Sequence, residues 1–161
     1  MRTVIVFVMG LALGSAVATS LAQSNRLAGM EGLNHVGLYV QDVDKAAAFY
    51  TQKMGFKDAF TVHDDKGQIF LKYIQVNKNT FIELQPVTEG RAAGISHLGL
   101  QVANIHETVD TLKKRGVTVE EPRVGSTKSL IANITATDGV RIELSELPPE
   151  SLQSKAIASW K

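Results

Sequence analysis

The sequence predicts an α+β fold in which two paired βαβββ modules form an open, cup-shaped sheet. The string "LNHVGLYV" at 33–40 returns as "ISHLGLQV" at 95–102, an offset of 62 positions. Each copy also ends in Ile-Glu-Leu, within "FIELQ" at 81–85 and "RIELS" at 141–145. A repeat that matches at both ends predicts two copies of one structural unit.

In the first copy, the hydrophobic pattern predicts a strand, one helix and three more strands. Asp42 is suited to cap the helix, and Gly55 is suited to end it. The turn residues of "HDDKGQ" and "NKN" separate the later strands. The four strands are predicted at about 33–40, 57–62, 68–76 and 80–85.

The second copy repeats this order of elements. Its helix is predicted to begin at Asn104, with Glu107 as the capping-box partner, and to end at Gly116. The segment "TDGV" is predicted to form a tight turn before the last strand. The four strands are predicted at about 95–102, 117–120, 129–137 and 140–145.

The repeat predicts a single domain with modules at about 31–86 and 94–147, joined by a linker at 86–94. A C-terminal helix is predicted at about 149–160, after two prolines. Leu152, Ala156 and Trp160 form a narrow apolar stripe along it, so we expect it to dock by packing, on its own sheet or on a partner subunit.

The N-terminus predicts export. Residues 1–22 contain one basic residue, a short apolar run broken by glycine, and a small-x-small site, which is typical of a cleaved secretory signal. The mature chain would begin at Gln23 and lie in the periplasm or outside the cell. A retained membrane anchor is the alternative, but the run falls short of the roughly 20 apolar residues that span a bilayer.

Composition excludes several classes of function. The chain has no cysteine, so disulfide and thiol chemistry are excluded. It has 17 basic and 16 acidic residues with no long run of one sign, which argues against binding nucleic acid or, after signal cleavage, a membrane. A small-molecule substrate is the expected partner, and assembly as a homodimer is an open alternative.

Strand alternation places four chemically active side chains on one face of the sheet. Apolar neighbours of His35 and His97 must face the helices, so both imidazoles point to the other face. The same alternation puts Glu83 and Glu143 on that second face. Two imidazoles and two carboxylates form an N2O2 ligand set for one divalent ion, and nickel, zinc, cobalt, manganese or iron(II) would suit it.

A glycine follows each of the two histidines by two positions. We expect Gly37 and Gly99 to leave space for an ion or a substrate on the floor of the cleft. Each ligand residue taken alone is more often an ordinary polar side chain on a half-exposed sheet, but solvation does not explain matched positions in both copies. His63 and His106 have no such match and are interpreted as surface residues.

The chain resembles the vicinal oxygen chelate superfamily, the glyoxalase I, bleomycin-resistance and extradiol-dioxygenase group, over about residues 31–147. The strings "LNHVGLYVQDVDKAAAFYTQKMGF", "FIELQP", "ISHLGLQVANIHETVDTLKKRGV" and "DGVRIEL" carry the resemblance. It implies that paired βαβββ modules hold a metal through His35, Glu83, His97 and Glu143. It also implies catalytic carboxylates, Glu143 as the proton shuttle and Glu83 as the acidic ligand of glyoxalase I-like members.

The resemblance implies a metal-dependent lyase, isomerase or epimerase that works through a metal-bound enediolate on a small oxygenated substrate. An extradiol-type iron(II) dioxygenase is one alternative, although Glu83 would crowd an open metal position. A ligand-binding protein without catalysis is another, although such members typically lack a complete ligand set. Export would separate this chain from the mainly cytoplasmic glutathione and coenzyme A substrates of the enzymes it resembles.

Four further side chains on the predicted cleft face are candidates for substrate contacts. Of these, Arg141 is suited to hold a carboxylate or phosphate. The loop "EEPRVGSTKS" at 120–129 is a candidate lid over the cleft. The full set of candidate substrate residues is Tyr39, Phe81, Gln101 and Arg141.

Overall fold

The computed structural model describes residues 26–161. The signal predicted at 1–22 lies outside the described residues and stays a prediction. Within the described part of the chain, no helix is both long and apolar enough to cross a membrane.

The described chain contains eight strands and three α-helices in the order that the repeat predicts. The first module comprises β1 (Met30–Val40), α1 (Val43–Ala48), β2 (Lys57–His63), β3 (Ile69–Asn77) and β4 (Thr80–Pro86). The second comprises β5 (Gly94–Val102), α2 (Ile105–Lys114), β6 (Arg123–Val124), β7 (Leu130–Thr135) and β8 (Arg141–Glu146), followed by α3 (Leu152–Ala158).

All eight strands form one sheet in the order β2-β3-β4-β1-β5-β8-β7-β6. Within each module the first and last strands pair in parallel, β1 with β4 and β5 with β8. The modules join where β1 and β5 pair in antiparallel fashion at the centre. This arrangement confirms the predicted fold class.

The helix caps form as the sequence predicts. Asp42 accepts a hydrogen bond from the Lys45 backbone N–H, and Asn104 accepts one from the Glu107 backbone N–H. These side chains satisfy backbone donors that the first helical turn leaves free. After α1 the helix widens into a π-helical segment at Phe49–Lys53 before Gly55 ends it with a φ of 74°.

Segment 117–120 differs from the prediction because it forms no regular strand. Val119 makes only an isolated bridge to Ile134. Pro122 has no N–H to donate, which limits pairing of the following chain to the two residues of β6. The side chain of Val119 still packs against the core of the second module, which explains why its sequence reads as a strand.

Two separate cores lie on the helix side of the sheet. In the first module, Val43 and Ala47 of α1 pack on Ile74 and Leu84. In the second, Ile105 and Val109 of α2 pack with Val102, Ala132 and Leu144. The alternating apolar residues of each strand therefore face the helices, and the opposite residues face the inside of the cup.

The C-terminal helix packs inside the cup, with its apolar contacts on the first module. Ala156, with Ile157 beside it, contacts Leu71, Tyr73 and Phe81. The buried residues of α3 are Ala156 and Gln153, so its inward face differs from the predicted stripe. Lys57 lies over the Trp160 ring, 5.9 Å from its centroid, near the edge of the sheet.

The two modules make a close contact at the centre of the sheet, where each glycine of the repeat meets the histidine of the other module. In the β1–β5 register His35 lies opposite Gly99, and Gly37 lies opposite His97. A Cβ on Gly99 would stand 2.1 Å from Cε1 of His35, and one on Gly37 would stand 2.1 Å from Cε1 of His97. The expectation that these glycines leave space for an ion is therefore corrected: each makes room for the other module's imidazole.

We expect Gly99→Ala to destabilise the fold by about 1–3 kcal/mol, because the added methyl group overlaps a buried ring. In a His35→Ala background the same substitution should cost little, since all three of its nearest contacts belong to His35. Denaturant unfolding of the four proteins of this double-mutant cycle measures the difference. An equal cost in both backgrounds would show that the ring does not set the requirement for glycine.

Candidate metal centre

Side chains from four strands converge at the centre of the cup. His35 Nε2 lies 2.9 Å from His97 Nε2. Glu83 Oε2 lies 3.4 Å from the first of these nitrogens and 3.7 Å from the second. Glu143 Oε1 lies 3.6 Å from His35 Nε2. We refer to these four residues below as the central cluster.

The register of the sheet brings the central cluster together. Glu83 lies beside Gly37 in the parallel pair, and Gly37 lies opposite His97. Glu143 lies beside Gly99 in the same way. Each glycine therefore separates the glutamate of its own module from the histidine of the other, and the absence of a Cβ lets those two side chains meet.

The donor atoms have the spacing that one divalent ion requires. Ligand atoms about 2.0–2.2 Å from an ion lie about 3.0 Å apart at right angles and about 3.5 Å apart in a tetrahedron. The three distances among His35 Nε2, His97 Nε2 and Glu83 Oε2 run from 2.9 to 3.7 Å, whereas Glu143 Oε1 comes within this range of His35 alone. Neutral imidazoles and carboxylates are ordinary ligands for such ions, so the residues fit the group that the sequence predicts.

The residue before each histidine orients its ring, a feature that sequence reasoning missed. Asn34 Oδ1 lies 3.0 Å from Nδ1 of His35, and Ser96 Oγ lies 2.8 Å from Nδ1 of His97. Such partners leave Nε2 directed at the centre and fix the ring. The paired "NH" and "SH" dipeptides were the available signal, since a polar residue precedes the histidine in both copies.

Each carboxyl group also has a supporting hydroxyl. The Tyr73 hydroxyl donates a hydrogen bond of 2.5 Å to Glu83 Oε2, and Ser145 Oγ donates one of 3.2 Å to Glu143 Oε1. Tyr73 and Glu83 are direct partners across the β3–β4 hairpin. The turn residues "NKN" between the two predicted strands were the available signal, because residues paired across a hairpin share a face.

The C-terminal helix reaches the same region through Gln153. This buried side chain accepts a hydrogen bond from Ser129 Oγ at 3.0 Å and donates to Thr127 Oγ1 at 3.1 Å. It also forms a hydrogen bond to Tyr73. The helix therefore anchors the end of the predicted lid loop and supports the tyrosine behind Glu83, a role beyond the packing predicted for it.

Arg141 lies against the central cluster on the open side. Its Nη2 is 2.6 Å from Nδ1 of His97, and its Nη1 donates to Asn133 Oδ1 at 3.1 Å. A guanidinium only donates, so Nδ1 of His97 accepts and Nε2 carries the proton. If Nε2 were to hold an ion, His97 would need its proton on Nδ1, where Ser96 Oγ could accept a hydrogen bond.

Burial keeps the central cluster neutral. It lowers the pKa of His35 and of His97 to about 3, and the positive charge of Arg141 adds to the effect at both. Burial raises the pKa of Glu83 to about 7, although the hydrogen bond from Tyr73 acts to lower it. Burial also raises the pKa of Glu143. At mildly acidic pH the contacts of Glu83 with the two histidines therefore join neutral groups and are not ion pairs.

A cleft of about 470 Å³ opens in front of the central cluster. Volumes of this order hold small molecules. Glu83 and Glu143 form part of its wall, and Arg123, Ser126 and Thr127 of the predicted lid loop form another part. The loop thus lines the cleft as expected, whereas its movement as a lid stays a prediction.

Two of the four candidate substrate residues line the cleft and two do not. Tyr39 and Arg141 lie in its wall. Phe81 is covered by α3 and has only 1% of its surface exposed. Gln101 accepts a hydrogen bond from Asn34 Nδ2 at 3.2 Å and lies in a separate groove. Neither Phe81 nor Gln101 lines this cleft, because alternation gives the face of a strand but not what covers it.

The fold and the central cluster define a class of small α+β proteins with paired βαβββ modules and a metal-type ligand set inside the cup. The chain belongs to the Glyoxalase/Bleomycin resistance protein/Dioxygenase superfamily, whose family model matches residues 32–144. This confirms the resemblance read from the sequence.

Known relatives include named enzymes. Human mitochondrial methylmalonyl-CoA epimerase is 29% identical over 129 residues, covering 71% of this chain and 73% of the relative. A probable chloroplastic lactoylglutathione lyase of Arabidopsis thaliana is 28% identical over 130 residues, covering 71% of this chain and 35% of that protein. The crystal structure of methylmalonyl-CoA epimerase from Mycobacterium tuberculosis has a TM-score of 0.65 and 26% identity, covering 78% of this chain and 93% of that one.

The pKa shifts predict how stability depends on pH in the metal-free protein. His35 and His97 stabilise the fold above their ordinary value of 6.5, and this contribution is lost as the pH falls towards about 3. Protonated Glu83 stabilises it below the ordinary value of 4.5, and this contribution is lost as the pH rises through about 7. Because two histidines act against one glutamate, stability should rise with pH up to about 6.5 and then fall as the pH passes through about 7.

Thermal unfolding in EDTA from about pH 4 to pH 8 measures this profile. We expect Glu83→Gln to reduce the loss of stability on the alkaline side. Glu89→Gln, which changes an exposed carboxyl in the inter-module linker, should leave the wild-type profile. A wild-type midpoint that rises steadily to pH 8 would contradict the assignment.

Proposed function

We propose that this protein is a divalent-metal-dependent isomerase or epimerase that moves a proton on the carbon next to a substrate carbonyl. The observation that carries the proposal is the convergence of two imidazole nitrogens and two carboxyl oxygens within 3.7 Å of a neighbour, at the floor of an open cleft. The family and its named relatives support an isomerase- or epimerase-like enzyme.

The central cluster would hold the ion. A divalent ion bound there would polarise a substrate carbonyl and stabilise the enediolate that remains when the adjacent carbon loses its proton. The imidazoles of His35 and His97 are already neutral and need no deprotonation before they ligate. Only the carboxyl groups must release protons, so ion affinity should increase towards neutral pH.

Glu143 is the better placed of the two carboxyls to transfer the proton. Its side chain is 13% exposed and that of Glu83 is 5% exposed, and both line the cleft. Glu83 is also fixed by the short hydrogen bond from Tyr73, whereas Glu143 has a longer hydrogen bond from Ser145 and lies 3.8 Å from Arg141 Nη1. Burial also raises the pKa of Glu143, which makes its carboxylate a stronger base. We therefore assign Glu143 as the base and Glu83 as the acidic ligand.

The alternatives are less well supported by the site. A dioxygenase of the two-histidine, one-carboxylate type needs open metal positions, and Glu83 lies where one of them would be. A binding protein without catalysis has no need for four ionisable groups whose burial is costly. The Tyr73 and Ser145 hydroxyls, which orient both carboxyls, also favour a working metal site.

The relatives suggest which substrates to test first. Methylmalonyl-CoA, named in one family of relatives, and the hemithioacetal of glutathione both carry a carbonyl next to an acidic C–H. Export is a separate proposal that rests on residues 1–22 alone. If the protein is exported, other oxygenated compounds outside the cytoplasm become the relevant substrates.

We expect the protein from its native host, purified without chelator, to contain about one divalent ion per chain. His97→Ala and Glu83→Ala should lose it, while His106→Ala, which changes an exposed imidazole, should keep it. Elemental mass spectrometry measures the ion, and the intact mass shows whether residues 1–22 are removed. No ion, and no uptake on dialysis against nickel, zinc, cobalt, manganese or iron(II), would overturn the metal-dependent proposal.

In D₂O the loaded enzyme should exchange the acidic C–H of its substrate, which NMR follows directly. Glu143→Gln should slow exchange at least about 100-fold, because general base catalysis typically contributes this much. Glu150→Gln removes an exposed carboxyl and should not change the rate. Exchange that survives Glu143→Gln with the ion still bound would exclude Glu143 as the base, and oxygen consumption with a catechol would indicate a dioxygenase instead.

A further inference from the structure

We propose that the cleft binds a substrate with an anionic group, a carboxylate or a phosphate, and that three arginines recognise it. This inference rests on the proposed function, because it names the substrate class of the same site. The arginines come from three separate parts of the chain: the inter-module linker, the loop after α2 and the start of the last strand. They are Arg91, Arg123 and Arg141.

The charge balance of the cleft favours an anion. Its charged lining consists of the three arginines and the two carboxyls of the central cluster. With a divalent ion in place and both carboxyls ionised, three positive charges remain after the carboxylates are subtracted. A cleft that concentrates one sign of charge raises the local concentration of the opposite sign and favours ligands that carry it.

The two outer arginines are exposed and form no close ion pair in the described part of the chain. Arg123 acts on an acidic group only at longer range, where its charge lowers the pKa of Glu143. The Arg91 guanidinium lies 5.5 Å from the centroid of the Tyr39 ring, which holds it at the cleft wall. The hydrogen-bonding groups of both side chains are therefore available to a ligand.

Arg141 connects the outer arginines to the central cluster. Asn133 orients it, and its side chain is 34% exposed, which leaves part of the guanidinium open to the cleft. One of its nitrogens, Nη2, contacts Nδ1 of His97 at 2.6 Å, so the guanidinium lies between the central cluster and the cleft. Its exposed N–H groups can donate to a carboxylate or phosphate in pairs.

Gln85 adds a neutral group to the same wall. It pairs with Tyr39 across β1 and β4, and its Oε1 is buried with no hydrogen-bond partner among the described residues. A ligand that fills the cleft can donate a hydrogen bond to this oxygen. The site therefore offers positive charge for an acid group and an acceptor for a hydroxyl or amide.

Binding of small probes tests this inference by isothermal titration calorimetry at low salt, with the protein both in EDTA and loaded with the ion. Malonate and inorganic phosphate are the anionic probes, and they separate carboxylate from phosphate recognition. Malonamide is the neutral match for malonate. We expect each of Arg91→Gln, Arg123→Gln and Arg141→Gln to weaken binding of the preferred anion by about tenfold.

Lys66→Gln serves as the control, because it removes one positive charge from an exposed turn outside the cleft. It should leave anion affinity unchanged. Thermal unfolding checks that all four variants are folded. Malonamide that binds as tightly as malonate, or arginine variants that bind both anions like the wild type, would overturn the inference.

The two proposals fail in different ways. If anion binding depends on the arginines but the protein takes up no metal ion, the metal-dependent function is overturned and the anion site is supported. An ion bound by the central cluster without arginine-dependent anion binding would do the reverse. Malonate could also bind through the metal ion alone. In that case its binding would require the metal-loaded protein and would survive all three arginine substitutions, and this result also counts against the inference.

Discussion

The structure depends on close packing between two glycines and two histidines at the centre of its sheet. Where β1 meets β5, the glycine of each module lies opposite the histidine of the other, and a Cβ at either glycine would overlap the ring. The same glycines lie beside Glu83 and Glu143 in the parallel pairs. The imidazole rings need the space above the two glycines. This need explains both the antiparallel register of β1 and β5 and the positions of the four residues of the central cluster.

This arrangement has an electrostatic consequence. Four ionisable groups lie close together with little access to water, and each shifts towards its neutral form. A divalent ion would favour the ionised form of both carboxyl groups, because its charge would compensate theirs in a site with little water. Two imidazoles need no change of charge in order to bind it. The cluster is thereby suited to hold a cation, and its burial makes the metal-free state dependent on pH.

Much of the fold and the central cluster followed from the sequence because both depend on short-range rules. Strand alternation and the internal repeat sufficed to place His35, His97, Glu83 and Glu143 on one face. The same alternation failed for Phe81 and Gln101, since it cannot show that α3 covers the first or that Asn34 engages the second. Arg91 and Arg123 were missed because they come from a linker and a loop, where no periodicity applies.

Each module contributes one histidine and one glutamate to the central cluster, but the residues around these groups differ between the modules. This difference determines where the cleft lies. Tyr73 and Asn133 occupy matching positions, each paired with the glutamate of its module, and Phe81 and Arg141 each precede that glutamate by two residues. In the first module the pair is aromatic and lies beneath α3. In the second it is polar and open, and Asn133 directs Arg141 at the central cluster. The central cluster, to which both modules contribute, therefore faces an asymmetric cleft, and an ion bound there would act on a substrate held from one side.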